Sequence, residues 1–239
     1  MPNEAAQKRV ALVTGGAKRV GRAIVEKLLS EGFAVALTYH RSDEATVDAL
    51  WRLGDTHVTQ ADFTKPAEAI EHLRDHLSMF TDHVDVLVNN ASIYRPGSNV
   101  DDLRAMMAVH VEAPMLLTQS LATLMKRVGG HVINMVDLNV ERPQPGYGAY
   151  CASKAALANL TLSLARELAP EVTVNGIAPG IVEWPDDYPE SERQKYLKRV
   201  PLARAGTPQD VAHLVHFLAT EGSYITGQII RLDGGRSIT

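Results

Sequence analysis

A single α/β domain carrying a dinucleotide-binding unit at its amino end is what this sequence predicts, and three observations predict it. The chain has 239 residues, 45% hydrophobic and 22% charged, enough to bury one full core and short enough to need only one domain. Brief apolar runs alternate with longer helical patterns along its length, with no repeat, low-complexity tract or interdomain linker between them. The first such run, Arg9 to Val13, passes at once into Thr14-Gly-Gly-Ala-Lys-Arg-Val-Gly21 and then into a helical pattern through Ala23, Ile24, Leu28 and Leu29. Strand, glycine turn and helix in that order let the backbone approach a pyrophosphate at a helix N-terminus.

The glycine turn departs from Gly-x-Gly-x-x-Gly. Arg19 stands where many related loops carry the middle glycine, bracketed by Gly15 and Gly21, and a tight turn without a ligand is the alternative reading. Gly32 closes the first helix, and Phe33 to Tyr39 is the second strand. Its end decides the cofactor. An acid here would accept from a ribose 2′-hydroxyl, whereas this chain offers His40-Arg41-Ser42. Arg41 and Ser42 suit a 2′-phosphate through charge-assisted hydrogen bonds, and Lys18 and Arg19 add positive charge. NADPH is therefore favoured over NADH. Asp43 and Glu44 also read as first-turn acids of the next helix.

The third strand, His57 to Ala61, ends in Asp62-Phe63, which reads either as a cover for an adenine or as a surface turn. A helix from Pro66 to Phe80 leads to the strand Val84 to Val88 and then to Asn89-Asn90-Ala91-Ser92. Asparagine tolerates tight turns and bridges strands, so Asn89 is expected to be structural beside a cofactor-facing Asn90. Tyr94 sits on the emerging loop, placed to stack on a flat ring. Leu103 to Arg127 reads as one long helix with His110 and Pro114 inside it, its methionines serving as packing. After the strand His131 to Val136 come the loop from Asp137 and a helix from Tyr150 to Leu168. A strand from Val172 to Ile177 ends in Ala178-Pro179-Gly180. The segment 181–201, with Trp184, Asp186, Asp187 and Tyr188, reads as a substrate loop or a mobile excursion. A helix from Pro208 to Ala219 and a strand and turn from Ile229 to Gly235 complete the chain.

The chemistry is expected between Asp137 and Lys154. Tyr150 and Lys154 are four residues apart on one helix, so their side chains are neighbours. An ammonium beside a phenol favours the phenolate, and bringing a phenol from about 10 toward neutrality is worth roughly 3–4 kcal/mol. Asp137, thirteen residues before Tyr150, stands at the carboxyl end of a strand, where open parallel sheets bind ligands. A solvated surface pair is the bland alternative for Tyr150 and Lys154. Cys151, the single cysteine, reads as a helix residue near a site and suits a reducing cytosol, so a cytoplasmic protein is expected. A net charge of -4 gives no global footprint for nucleic acid. The polar stretch Met1 to Arg9 is unlike a signal peptide, no apolar run is long enough to span a membrane, and no metal site is assigned.

Taken together, these motifs resemble the short-chain dehydrogenase/reductase family over essentially the whole chain: Thr14-Gly15 with Gly21, Asp62, Asn89-Asn90-Ala91, Tyr150 with Lys154, Pro179-Gly180 and Asp233-Gly234-Gly235. The resemblance implies a single doubly wound Rossmann domain with about seven parallel strands and hydride exchange with a nicotinamide. It also implies a tyrosine acid/base and a lysine on the nicotinamide ribose. Gly15, Lys18, Arg19, Val20, His40, Arg41, Ser42, Asp62, Phe63, Asn90, Ala91, Met135, Tyr150, Lys154, Pro179 and Gly180 are the cofactor-binding residues that it implies, and a homotetramer is the assembly.

Two departures narrow the resemblance. Asp137 replaces the usual serine, and Ser92 the glycine after Asn-Asn-Ala. With Arg19 and His40-Arg41-Ser42 these features are similar to the pteridine reductases, as are Ile133 to Asp137 and Tyr224 to Gly227. That similarity implies a dihydropterin substrate under Tyr94, with Arg19, Ser92, Asp137 and Tyr150 around it. His110 stands where the family often has an asparagine serving a relay water, so its part in proton relay stays open. A carbonyl reductase of the same fold is the second reading, and a nucleotide-sensing regulator that binds NADPH without turnover is the third.

Overall fold

The computed structural model describes residues 7–185 and 187–239; Met1 to Ala6 of the polar N-terminal stretch and Asp186 of the substrate loop lie outside the described residues. Seven strands form one sheet: β1 (Val10–Val13), β2 (Ala34–Tyr39), β3 (Thr56–Gln60), β4 (Val86–Asn89), β5 (His131–Met135), β6 (Thr173–Pro179) and β7 (Ile229–Leu232). Their order is 3-2-1-4-5-6-7 and every pairing is parallel. Parallel strands need crossovers, and helices supply them: α1 (Arg19–Ser30), α2 (Glu44–Trp51), α3 (Pro66–Ser78), α4 (Val100–Met107), α5 (Ala113–Lys126), α6 (Gly148–Leu168), α7 (Glu190–Leu197) and α8 (Pro208–Thr220).

Both faces of the sheet are covered, which is why its strands read as unbroken apolar runs. Ala11 and Val13 of β1 turn to one side, where Ile24 and Leu28 of α1 and Val211 and Val215 of α8 pack. Leu12 turns to the other side, against Leu73 of α3, Leu117 and Leu121 of α5 and Leu164 of α6. The strand order reverses between β1 and β4, and the ends of those two strands open the crevice in which such sheets bind ligands.

The structure corrects one element. The single helix expected over Leu103 to Arg127 is α4, a π-helical turn at Ala108–Glu112, and α5. Pro114 is the physical reason. It has no N–H to give to the carbonyl of His110, and its ring would strike that carbonyl in a regular helix; a widened turn accommodates both. The expected excursion at 181–201 contains α7, which buries none of its residues. Asp43 proves to be the N-cap of α2, accepting from the Thr46 N–H at 2.8 Å, so that acid reads as a helix cap.

Candidate active site

The glycine loop is held open from below. Thr38, at the end of β2, accepts from the Gly15 N–H at its hydroxyl (3.0 Å) and from the Gly16 N–H at its carbonyl (2.9 Å). Asn90 gives its side-chain N–H groups to the carbonyls of Thr14 and Gly15 at 3.0 and 3.1 Å. The Thr14 hydroxyl in turn accepts from the N–H groups of Asn90 and Ala91. Asn90, expected to face a cofactor, therefore spends its amide hydrogens on bracing the loop. A Cβ on Gly21 would lie 2.1 Å from the Gly15 carbonyl oxygen, so only glycine fits there. Arg19 takes the left-handed conformation, φ 54°, that a glycine would have adopted without cost. Its guanidinium reaches Glu183 at 3.5 Å across the mouth of the crevice.

The first turn of α1, which follows the glycine loop, has neither a side-chain cap nor an acid, leaving its backbone N–H groups without a side-chain acceptor. That donor set fits a dinucleotide pyrophosphate. Beyond β2, Arg41 is exposed and has no ion-pair partner among the described residues, while Ser42 is half-buried. His40 approaches Asp62 at 3.5 Å. The other Asp62 oxygen accepts from the hydroxyl and N–H of Thr64, which hold its carboxyl below the usual range. Asp62 therefore closes a turn and also faces the crevice. A cavity of about 290 Å³ lies here, lined by His40, Arg41, Asp62, Phe63, Ser92 and Arg95. A larger one, about 530 Å³, opens among Lys8, Asp55 and His83 at the amino ends of the strands, away from the glycine loop.

At the carboxyl end of β5 the three expected reactive side chains meet. The Tyr150 hydroxyl donates to Asp137 Oδ2 at 2.6 Å, and Asp137 Oδ1 accepts from the Asn139 N–H at 2.7 Å. One carboxylate thus caps a short 3-10 turn, Leu138–Val140, and holds the phenol. Lys154 is 3% exposed; its Nζ donates to the carbonyl of Met135 at 2.7 Å and lies 5.8 Å from the centre of the Tyr150 ring.

The electrostatics overturn one expectation. Lys154 was expected to bring the Tyr150 phenol down toward neutrality. Instead burial, with the adjoining Asp137 carboxylate, pushes it well above its ordinary value of 10.0. Lys154 is itself brought down to about 8, because burial penalises its charge more than Asp137 favours it. The reason is that an acid lies closer to the phenol oxygen than any cation does, and both groups are dry.

Tyr94 stands over this centre, half exposed. Its ring lies edge-on to Tyr150 (centroids 5.0 Å apart) and stacks on Tyr147 (4.9 Å), and its hydroxyl donates to Gln144 Oε1 at 3.1 Å. Sequence reasoning missed Tyr147 and Gln144, both in the loop between Asp137 and α6, and it missed Tyr196 of α7. The Tyr196 hydroxyl accepts from the Ile181 N–H at 3.1 Å, and its ring meets Trp184 edge-on at 5.6 Å. No local pattern marks Tyr196; only the fold brings it beside Gly180, where a Cβ would stand 3.0 Å from its hydroxyl. Ser92 turns its hydroxyl toward His110 at 2.9 Å. Val20 packs against the core, Pro179 ends β6, and the Gly180 N–H donates to the carbonyl of Leu232.

A family model described as enoyl-(acyl carrier protein) reductase matches residues 15–237, which include Asp137, Tyr150 and Lys154 and the glycine loop from Gly15. The chain belongs to the short-chain dehydrogenase/reductase family. A dihydromonapterin reductase of Enterobacter sp. (strain 638) is 35% identical over 98% of both chains. A pteridine reductase 1 of Leishmania tarentolae is 35% identical over 96% of both. A 3-oxoacyl-(acyl-carrier-protein) reductase of Aquifex aeolicus is also 35% identical, over 96% of this chain and 97% of its own. Among solved structures, a blue fluorescent protein from a metagenomic library, in complex with NADPH, superposes with a TM-score of 0.88 at 33% identity, covering 95% of this chain and 97% of its own. The reductase family uses a nicotinamide cofactor, and the uncapped α1 with its glycine cradle suits one. Among the described residues, no helix is long and apolar enough to cross a membrane.

Proposed function

We propose that this protein is an NADPH-dependent reductase of dihydropterins such as dihydromonapterin, dihydrobiopterin or dihydrofolate, yielding the tetrahydropterin. The observation that carries the reading is the carboxylate of Asp137, 2.6 Å from the Tyr150 hydroxyl, at the position where the family resemblance implies a serine that orients a ketone oxygen. A carboxyl group suits a ring nitrogen that must gain a proton. Tyr94 supports the same reading, since it offers an aromatic wall beside the phenol for a flat bicyclic substrate.

Bound NADPH supplies the hydride. Tyr150 and Asp137 share one proton in a largely dry cleft and pass it toward the ring nitrogen. Lys154, fixed by Met135, holds the nicotinamide ribose and limits how negative the pair becomes. Arg19 and Ser92 lie at the rim of the substrate space. The exposed Arg41 guanidinium and Ser42 would receive the 2′-phosphate. The assembly we expect is a homotetramer and the compartment the cytoplasm.

The alternative is a ketone reductase such as the 3-oxoacyl-(acyl-carrier-protein) relative. One steady-state comparison separates the two: NADPH or NADH consumption with dihydrobiopterin, dihydromonapterin, dihydrofolate and a 3-oxoacyl thioester. The expected outcome is turnover of at least one pterin with NADPH, with NADH much poorer. Fast turnover of the thioester with none of any pterin would replace this reading by the ketone one.

A further inference from the structure

Ser92 and His110, eighteen positions apart in sequence, meet in the fold. His110 lies in the π-helical turn between α4 and α5 and is 1% exposed. Its Nε2 accepts from the Ile93 N–H at 3.0 Å and lies 2.9 Å from the Ser92 hydroxyl. Its Nδ1 lies 2.7 Å from Ser153 Oγ, on α6 between Tyr150 and Lys154, and the Ser153 hydroxyl donates to the Tyr150 carbonyl at 2.8 Å.

These contacts determine the tautomer. A backbone N–H only donates, so Nε2 carries no hydrogen and the Ser92 hydroxyl must donate to it as well. The ring hydrogen is then on Nδ1 and is given to Ser153. Each hydrogen in the chain points one way, from the loop after β4 through the imidazole to the α6 backbone. The chain ends on the Tyr150 carbonyl and reaches neither the Tyr150 hydroxyl nor Lys154 Nζ.

We propose that His110 is a positioning residue, a neutral imidazole locked as the Nδ1–H tautomer, which clamps the loop after β4 to α6 and so sets the Tyr94 wall against Tyr150 without carrying a proton in the reaction. Tyr94 follows the clamped Ile93 directly, so the chain has one residue in which to lose its place. The charged and titratable groups facing the ring agree with a neutral imidazole. The Tyr150 ring packs edge-on at 5.6 Å, Lys154 opposes a second positive charge, and burial together with Lys154 pulls His110 down to about 2. The widened π turn is the local device that aims the ring between the two elements.

The wall and the clamp belong to the substrate site under the reading above, but the tautomer does not depend on it. Nitrogen-15 spectra of the intact protein should show one histidine with an unprotonated Nε2 and no titration from about pH 5 to 8. An imidazolium, or a hydrogen on Nε2, in the histidine lost from the His110→Ala spectrum overturns the proposal. In kinetics, measured on whichever of the pterins or the thioester the wild type turns over, His110→Ala should raise KM about tenfold and leave the shape of the pH profile of kcat/KM unchanged. His110→Gln, which keeps an acceptor for the Ile93 N–H and cannot titrate, should recover most of that loss. A glutamine variant as poor as the alanine one and missing a limb of the pH profile would make His110 a proton relay. If the wild type reduces only the thioester, the pterin reading fails while the clamp is still tested.

Discussion

Tyr150, Asp137 and Lys154 illustrate how far residue types carry a chemical argument. Their convergence was legible, since a phenol and an amine four residues apart on a helix share a face and Asp137 follows closely on the preceding strand. The direction in which each titrates was not legible. The phenol oxygen is 2.6 Å from a carboxylate while the ammonium sits over the ring, a difference of orientation that spacing does not encode. The raised phenol stays protonated throughout the working pH range, which suits an acid that gives its proton only as charge develops on the substrate. Replacing Tyr150 by Phe removes that proton and keeps the ring. The expected result is a loss of kcat on the order of 100-fold or more, with NADPH affinity by fluorescence titration nearly unchanged. An undiminished rate would remove Tyr150 from the mechanism.

At the scale of elements, strands and crossover helices were readable from alternating apolar runs and helical periods, and the glycine turn marked the crevice. The joint at Ala108–Glu112 escaped, although Pro114 was its visible cause, because a proline inside an apolar helix is compatible with a kink, a break or a widened turn. A buried polar chain ties the central elements together. Asn89 of β4 donates to Asn134 of β5 at 2.8 Å, and Asn134 donates to Thr161 of α6 at 2.9 Å. Asn89 is thus the strand-bridging residue its type suggested, with a partner 45 positions away. Asn134→Ala would leave the Asn89 amide without its acceptor in a dry interior, while the Thr161 hydroxyl keeps the Leu157 carbonyl, at a cost of about 1–3 kcal/mol. Urea denaturation should show the midpoint falling with an unchanged m-value; a midpoint equal to the wild type's would mean that water or a rearranged neighbour satisfies the site.

On the scale of the whole molecule, burying Lys154 links folding to pH. Its folded value, about 8, lies below the ordinary 10.5, so the unfolded chain binds the proton more tightly. Stability therefore rises with pH between those values. Relative to Lys154→Met, the wild type should gain about 1 kcal/mol from about pH 8 to about pH 9 in urea unfolding; a flat or falling difference would show that Lys154 is not held in a dry site. By itself the sequence determined the α/β class, the order of strands and helices, the glycine loop and which side chains converge at the end of β5, since these rest on local periodicity, turn chemistry and fixed spacing. Only the tertiary structure decided that Asn90 braces the loop, that Tyr196 stands beside Gly180, that Ser92 meets His110, and which way Tyr150 and Lys154 titrate. Each of these depends on burial and on partners brought from distant parts of the chain, and neither is encoded in a residue's near neighbours.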